Sequence, residues 1–256
     1  MEPFFFDSGG DKLFGVYHPA QDVFSRKAVL LCPPIYAEYF RTYRYFRNLA
    51  DSWSQAGHHV LRFDYFGTGD SAGSWRDAGP SRWLQDIEAA SRELREISGC
   101  TQISLAGARF GATLALLSTC KLDIADRVIV WDPIVKGADY INSLQDTHAR
   151  LLAKSNARAR ALLTGLPEEL AGFRRESWVD DEFPMIDLST LDTRNVSSVE
   201  YIASDEALID RGLVNNLTAN CVEVNESLCV DDCDWGTPSE VAMQASNVYE
   251  GLKRCL

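Results

Sequence analysis

Short, largely apolar runs alternate with segments of helical periodicity along the first half of this 256-residue chain. The apolar runs are residues 28–32, 60–63, 103–106 and 128–131. In the segments between them apolar residues recur at intervals of three and four, for example at Trp83, Ile87 and Ala90, which is the spacing of an amphipathic helix. Apolar strands separated by helices predict an α/β fold whose mainly parallel sheet is covered by helices on both faces.

The alternation is interrupted once. Residues 137–192 contain no convincing strand; they begin with a helical stretch rich in Ala, Leu and Arg and end in a loop-rich tail. We therefore expect an α/β core formed by residues 1–136 and 193–256, with residues 137–192 inserted as a helical cap after the fourth long parallel strand. Outside the four runs we also predict an N-terminal hairpin at residues 4–17, strands at 199–203 and 221–224, and helices at 207–217 and 240–255.

The charge balance and the cysteines narrow the function classes. The chain has 25 basic and 37 acidic residues, a net charge of -12, which argues against nucleic acid as a partner. No run approaches the length of a membrane-spanning helix, and the N-terminus lacks the basic start of a signal peptide, so we expect a cytoplasmic protein. The seven cysteines are scattered, as free thiols in a reducing compartment are. Cys229 and Cys233 lack further ligands nearby, so neither a metal nor a cofactor is expected.

Two segments give the chain a family resemblance. Residues 64–73 fit the pattern Asp-x-x-Gly-x-Gly-x-Ser-x-Gly directly after the second strand, and residues 105–112 combine a strand end, a Gly-x-x-x-Gly turn and a helix start, as a nucleophile elbow does. They resemble α/β-hydrolases of the serine aminopeptidase type, which implies the α/β-hydrolase fold from the hairpin to the last helix. The narrower resemblance is to the exosortase A system-associated hydrolases, and it is carried by residues 2–6, 13–19, 32–34, 62–65 and 131–133.

At the elbow the chain departs from this family's pattern. The slot of the nucleophile holds Arg109, whose guanidinium stays protonated and is no nucleophile. The resemblance implies a catalytic histidine near residues 230–240, but this stretch contains none. Carboxylates remain at the two positions where the fold places its acid, Asp132 and Asp205. A Ser-His-acid mechanism is therefore not expected.

A second segment, Gly69–Gly73, matches Gly-x-Ser-x-Gly with Ser71 at its centre. A nucleophile elbow continues directly into a helix, whereas Gly79 and Pro80 still follow here before the next helical pattern begins. We interpret Ser71 as part of a tight turn whose side chains bond local backbone.

Arg109 at a helix start suits an anion, because its charge adds to the positive end of the helix dipole. Its partner is either a ligand or one of the carboxylates Glu38, Asp132 and Asp205. The resemblance implies an oxyanion hole formed by the amide of Phe110 and by an amide of the loop 33–38. Two prolines in that loop have no amide hydrogen, so Ile35 or Tyr36 must donate.

The predicted cap adds further candidates. Arg150, Lys154 and Arg158 fall on one helix face, with Arg160 close by, and this cationic face is either solvated or contributes to ligand binding. His148 opens the same helix and is either a surface residue or a base that reaches the site.

Three functions remain open. The favoured one is a non-serine enzyme in a biosynthetic pathway that binds an anionic acyl or carbonyl small molecule at Arg109, while Glu38, Asp132 or Asp205 moves a proton. The alternative is a catalytically silent pseudo-hydrolase that binds a ligand or a pathway partner. The third is an ester or thioester hydrolase rewired through Ser71 and His148. Among protein partners, a homodimer and a pathway enzyme are both left open.

Overall fold

The computed structural model describes residues 1–22, 24–120, 125–154, 168–193, 195–236 and 242–256. Within these ranges no helix is both long and apolar enough to cross a membrane. The strands are β1 Glu2–Ser8, β2 Asp11–His18, β3 Ala28–Cys32, β4 His59–Phe63, β5 Ile103–Ala108, β6 Ala125–Trp131, β7 Glu169–Leu170, β8 Phe173–Arg174, β9 Ser198–Ala203 and β10 Glu223–Leu228. The helices are α1 Tyr36–Gln55, α2 Pro80–Ser98, α3 Phe110–Thr119, α4 Gly137–Lys154, α5 Ser177–Asp181, α6 Arg211–Ala219 and α7 Ser246–Lys253.

Eight strands of the described residues form one sheet in the order β1-β2-β4-β3-β5-β6-β9-β10. Strand β2 runs antiparallel to both of its neighbours, and all other neighbouring pairs are parallel. Leu30 in the middle of β3 lies opposite Leu61 and Leu105. The predicted α/β architecture with a mainly parallel sheet is confirmed, and it brings the carboxyl ends of β3, β5, β6 and β9 to one edge of the sheet.

The apolar runs are explained by burial on both faces. Alternate residues of a strand point to opposite faces, so Leu30 and Leu105 join the core under α2 and α3, whereas Leu31 and Ile129 join the core under α1 and α7. These side chains are almost completely removed from solvent. A sheet buried on both sides requires apolar residues at nearly every strand position.

The segment between β6 and β9 packs over one part of this edge. Aromatic rings of α5 and of the 3-10 helix Phe183–Met185 contact rings of the core. The ring centres of Phe183 and Phe110 are 4.7 Å apart, and those of Trp178 and Trp83 are 5.2 Å apart. The backbone of Gly137 at the start of α4 donates to the carbonyl of Ile186. The segment is therefore held against the start of α3 by aromatic packing.

The expectation that residues 137–192 hold no strand is wrong. Strands β7 and β8 form a short antiparallel pair in which Leu170 lies opposite Phe173. Ala171 and Gly172 make the turn, both with positive φ, which is the conformation of a two-residue hairpin. The predicted helix across residues 155–165, with Arg158 and Arg160, lies outside the described residues, as do the predicted helical residues 240 and 241.

The last strand also differs from its prediction. β10 spans Glu223–Leu228 rather than residues 221–224, because Cys221 adopts a left-handed conformation with φ 62°. Most side chains of β10 are exposed. An edge strand with polar side chains lacks the apolar run by which the inner strands are found.

Candidate functional site

Arg109 occupies a sharp turn between β5 and α3. Its φ of 51° and ψ of -126° are unusual for a residue with a side chain. Gly107 makes the turn possible, because a Cβ there would lie 2.7 Å from the backbone of Gly111. The amide of Arg109 donates to the carbonyl of Trp131 at 2.9 Å. The turn has the form of a nucleophile elbow, as the glycine spacing predicts.

The guanidinium of Arg109 is buried and incompletely paired. The residue is 8% exposed. Nε donates to Oε1 of Glu38 at 3.0 Å, and Nη1 donates to the backbone carbonyl of Asp132 at 3.3 Å. Nη2 donates no hydrogen bond to the part of the chain that the structure describes. The guanidinium carbon also lies 5.1 Å from the ring centre of Trp235, within the range of a cation–π contact. The described residues thus accept hydrogen bonds from two of the three guanidinium nitrogens.

Glu38 is a buried carboxyl group at the start of α1. Its Oε2 accepts a hydrogen bond from the hydroxyl of Tyr140 at 3.0 Å. Burial raises the pKa of Glu38, while the charge and the hydrogen bond of Arg109 oppose that rise. Burial raises the pKa of Tyr140 as well, so its hydroxyl stays protonated and donates. Glu38 can therefore take up a proton closer to neutral pH than an ordinary glutamate does.

Asp132 follows β6 and is fully buried. Its carboxylate accepts three hydrogen bonds: from the amide of Ser204 at 2.8 Å, from the hydroxyl of Ser204 at 2.5 Å, and from the indole Nε1 of Trp235 at 2.7 Å. Arg109 reaches only the backbone carbonyl of Asp132. The carboxylate is held by neutral donors, and it fixes the Trp235 ring against Arg109.

Sequence reasoning missed Trp235. It lies in the loop after β10, where the family resemblance implies a histidine that the sequence lacks. An indole N–H is a hydrogen-bond donor. A tryptophan in this loop therefore indicates a ring that can donate a hydrogen bond to the carboxylate of Asp132. Unlike imidazole, it cannot accept a proton from a nucleophile.

Asp205 is not brought to Arg109. It is exposed, and its carboxylate accepts the amide of Ala207 at 2.8 Å, which caps the 3-10 helix Glu206–Leu208. No hydrogen bond or ion pair joins it to Arg109 within the described ranges. An aspartate directly before a helical turn is a common capping residue, and this role explains its position in the sequence.

The two segments that are predicted to form the oxyanion hole, the loop 33–38 and the start of α3, lie side by side. A Cβ on Gly111 would collide with the backbone of Pro33, so this glycine allows the loop after β3 to approach α3. Ile35 is at the N-cap position of α1, Tyr36 begins that helix with φ 56°, and Phe110 begins α3. Amides in the first turn of a helix have no partner within it, so these residues have amides suited to bind an oxyanion.

The α4 candidates take different positions. Arg150 is exposed, and its Nη2 donates to the hydroxyl of Thr147 at 3.1 Å. That hydroxyl in turn donates to the carbonyl of Gly236 at 3.2 Å. His148 is 7% exposed, and neither ring nitrogen has a hydrogen-bond partner in the described residues. His148 is therefore not the surface residue considered above, and it lines neither cavity at Arg109.

Two cavities meet at Arg109. The inner cavity, of about 130 Å³, is lined among others by Glu38, Arg41, Arg109, Arg150 and Trp235. The outer cavity, of about 440 Å³, is lined among others by Arg109, Pro133, Lys136, Asp139 and Arg211. Arg109, Tyr140 and Ser143 line both cavities. A ligand in either space can reach the guanidinium, and a ligand in the inner cavity also reaches Glu38.

Side chains that could ligate a metal are not clustered in the described part of the chain. Within the described residues no three His, Cys, Asp or Glu side chains gather as a metal site would require. Burial raises the pKa of Cys233 to about 12, so its thiol is protonated at neutral pH and is a poor metal ligand or nucleophile.

Ser71 has a structural position in the turn after β4. Its hydroxyl donates to the carbonyl of Asp64 at 2.5 Å and accepts the amide of Phe14 at 2.9 Å. We expect Ser71→Ala to lower the free energy of unfolding by about 1–3 kcal/mol, because it leaves a backbone amide without its acceptor. Denaturant unfolding measures the loss, with Ser227→Ala on exposed β10 as the matched control. Equal stability of the two variants would contradict the assignment.

The comparison with known proteins agrees with this geometry. A family model described as serine aminopeptidase, S33, matches residues 26–242. The chain belongs to the serine aminopeptidase S33 family. No curated protein sequence matches the chain significantly. Solved structures that resemble this S33 family member have low sequence identity to it, so the resemblance shows the fold alone.

Three solved structures illustrate that fold. Est1E from Butyrivibrio proteoclasticus, bound to ferulic acid, has a TM-score of 0.70 and 17% identity over 98% of this chain and 97% of its own. An esterase from Pyrococcus furiosus has a TM-score of 0.63 and 16% identity over 99% and 90%. A proline iminopeptidase from Mycobacterium smegmatis has a TM-score of 0.58 and 12% identity over 89% of both chains. The S33 chain therefore has the predicted α/β-hydrolase fold.

Proposed function

We propose that this S33-family protein is a non-serine enzyme that acts on an anionic acyl or carbonyl small molecule. In this proposal the catalytic triad is degenerate: Arg109 stands in the place of the nucleophile and Trp235 in that of the histidine. One observation carries it. The guanidinium of a residue that is only 8% exposed borders two cavities and keeps Nη2 free of any described partner. A buried guanidinium edge that the protein leaves open is suited to a carboxylate or an enolate.

The chemistry follows from the groups around Arg109. The anion binds the open edge of the guanidinium, and a neighbouring carbonyl oxygen is polarised by the helix-start amides of Ile35, Tyr36 or Phe110. Glu38 lies on the inner cavity with a raised pKa, so it exchanges a proton with the carbon next to that carbonyl. This gives a lyase, isomerase, cyclase or decarboxylase step. Arg150 adds a second positive charge at the inner cavity.

The wider context is proposed on the same basis. Residues 137–192 act as the cap of the site, because α4 contributes Tyr140 and Ser143 to both cavities. The resemblance to the exosortase A system-associated hydrolases supports a place in a biosynthetic pathway. The absence of a buried serine at the elbow supports the view that ester hydrolysis is not the reaction.

A second candidate function rests on the ion pair itself. Glu38 and Arg109 are 3.0 Å apart and both nearly buried, which is the arrangement of a site closed by an internal salt bridge. A catalytically silent protein that binds a ligand or a pathway partner would retain this pair. Binding without any proton exchange separates this alternative from the enzyme.

The test uses a single variant that keeps the cation of the buried pair and a double variant that removes both of its charges. We expect Glu38→Gln to bind acetoacetate at least as tightly as the unmodified protein, because Gln removes a competing carboxylate. The double variant Arg109→Gln/Glu38→Gln is expected to bind about tenfold or more weakly, since a charged hydrogen bond is worth about 1.5–3 kcal/mol. Isothermal titration calorimetry measures both affinities.

Catalysis is followed in the same proteins by proton exchange. In deuterium oxide the unmodified protein should speed the loss of the C2 proton signal of acetoacetate, and Glu38→Gln should not. Binding that is equal in Glu38→Gln and the double variant would overturn the assignment of Arg109. Binding that depends on Arg109, with no exchange in the unmodified protein, would favour the silent alternative.

A further inference from the structure

We propose that the ligand of this protein is a dianion, whose second anionic group, a carboxylate or a phosphate, is bound by Lys136 in the outer cavity. The inference rests on the proposed function, because it takes Arg109 as the site of the first group. It adds a second binding residue and a substrate class.

The outer cavity is large enough for such a ligand. Its volume of about 440 Å³ falls within the range of about 300–1,000 Å³ that small-molecule sites occupy. It is bounded by the loop after β6 on one side and by the residues between β9 and α6 on the other. Arg109 and Lys136 both line this space, so one ligand can meet both cations.

Among the described residues, Lys136 is the cationic residue of the outer cavity whose side chain forms no ion pair. Arg211, which also lines the cavity, is held by Glu226, with Nη1 2.6 Å from Oε2. Lys136 is exposed and makes no ion pair within the described ranges. The pKa of Asp187 is lowered mainly by its hydrogen bonds with Ser189, and the charge of Lys136 lowers it to a smaller extent.

The start of α4 adds to the positive potential at Lys136. This 18-residue helix begins at Gly137, directly after Lys136, and its first turns line the cavity through Asp139, Tyr140 and Ser143. The partial positive charge of a helix N-terminus favours an anion there. The incompletely paired and nearly buried Arg109 on the same cavity is the independent sign that an anion belongs in this space.

Two carboxylates also line the cavity and limit its charge. Asp210 is committed to the N-cap of α6, where it accepts the amide of Leu213 at 2.9 Å. Asp139 lies in the first turn of α4 and faces the same space as Lys136. Its charge opposes a second anionic group, so removing it is expected to strengthen dianion binding. Substitutions of Lys136 and Asp139 are therefore expected to change dianion affinity in opposite directions.

The experiment compares ligands that differ by one anionic group. Butyrate is compared with succinate and glutarate, and 3-phosphonopropionate provides the phosphorus-containing arm. We expect Lys136→Gln to weaken dianion binding about tenfold and to leave butyrate binding unchanged, since one charged hydrogen bond is lost. Asp139→Asn should tighten dianion binding. Lys12→Gln, an exposed lysine of β2, is the matched control.

The outcomes separate this inference from the proposed function. If butyrate binding depends on Arg109 but the dianions bind no more tightly than butyrate, the second group has no site and the inference is overturned. If Lys136→Gln lowers the affinity for butyrate and for the dianions equally, Lys136 acts by long-range electrostatic attraction and not by binding the second group. The inference then also fails. If none of the ligands binds, the proposed function itself fails. A preference for the phosphonate over succinate and glutarate would favour a phosphate over a carboxylate as the second group.

Discussion

The double substitution Arg109→Ser with Trp235→His is expected to turn this protein into a serine esterase. The turn at Arg109 already has the backbone of a nucleophile elbow, and Asp132 already holds the ring of Trp235 through a hydrogen bond of 2.7 Å. A histidine in that loop would find a buried carboxylate ready to bond its ring and a serine placed by the elbow. The oxyanion amides at the starts of α1 and α3 are unchanged.

The size of the gain follows from the missing base. We expect the double variant to hydrolyse p-nitrophenyl acetate about 10²–10⁴-fold faster than either single variant, which is the usual contribution of a general base. Arg109→Ser alone should stay near background, because no histidine accepts the hydroxyl proton. Adding Asp132→Asn to the double variant should remove most of the gain. Activity in the double variant that equals that of Arg109→Ser would show that position 235 does not reach the elbow.

Arg109→Met is expected to cost the protein about 3–5 kcal/mol of stability at pH 8, because it leaves the carboxylate of Glu38 buried without its cation. Glu38 is 6% exposed, and among the described residues the hydroxyl of Tyr140 is the one hydrogen-bond donor left to its carboxylate in this variant, while Arg41 contributes only its charge. The double variant Arg109→Met/Glu38→Gln should recover most of the loss, since no charge is then stranded.

The loss should depend on pH with a defined sign. The pKa of Glu38 is raised in the folded protein, so the folded state binds this proton more tightly than the unfolded chain does. The contribution of Glu38 to stability is therefore most favourable below the unfolded pKa of about 4.3, and it declines as the pH rises toward the folded pKa. Removing Arg109 raises that pKa further and deepens the decline.

Urea unfolding of the single variant, the double variant and the unmodified protein at pH 5 and pH 8 measures this effect. Arg109→Met should be close to the double variant at pH 5 and clearly less stable at pH 8. A loss that is the same at both pH values would show that Arg109 contributes by packing alone.

The sheet is predictable from the sequence because burial on both faces leaves a continuous apolar signal. The run Ala28–Cys32 has the same bounds in the sequence and in the structure. β7 and β8 escape prediction because each contributes two residues, too few for any periodicity, and because Ala171 rather than a residue favouring positive φ opens the turn. β10 is displaced from its prediction because it is a polar edge strand.

The site is partly predictable in the same physical sense. The elbow and the candidate partners of Arg109 follow from motif spacing, and Glu38 is the carboxylate that bonds the guanidinium. The choice among Glu38, Asp132 and Asp205 depends on side-chain directions in the first turn of α1 and in the segments after β6 and β9, which spacing does not determine. Trp235 is not predicted for a different reason: the family pattern requires a proton acceptor in this loop, and the position holds a donor.

The backbone of the elbow is set by its neighbours and not by the side chain that it carries. Gly107, Gly111 and the hydrogen bond from the backbone amide at position 109 to Trp131 do not depend on the side chain at this position, provided that it is not proline. The turn thus places the side chain of residue 109 where the two cavities meet, independently of the type of that residue. Arg109→Cys would place a thiol there, and a spectroscopic label attached to it would report from the centre of the ligand-facing edge.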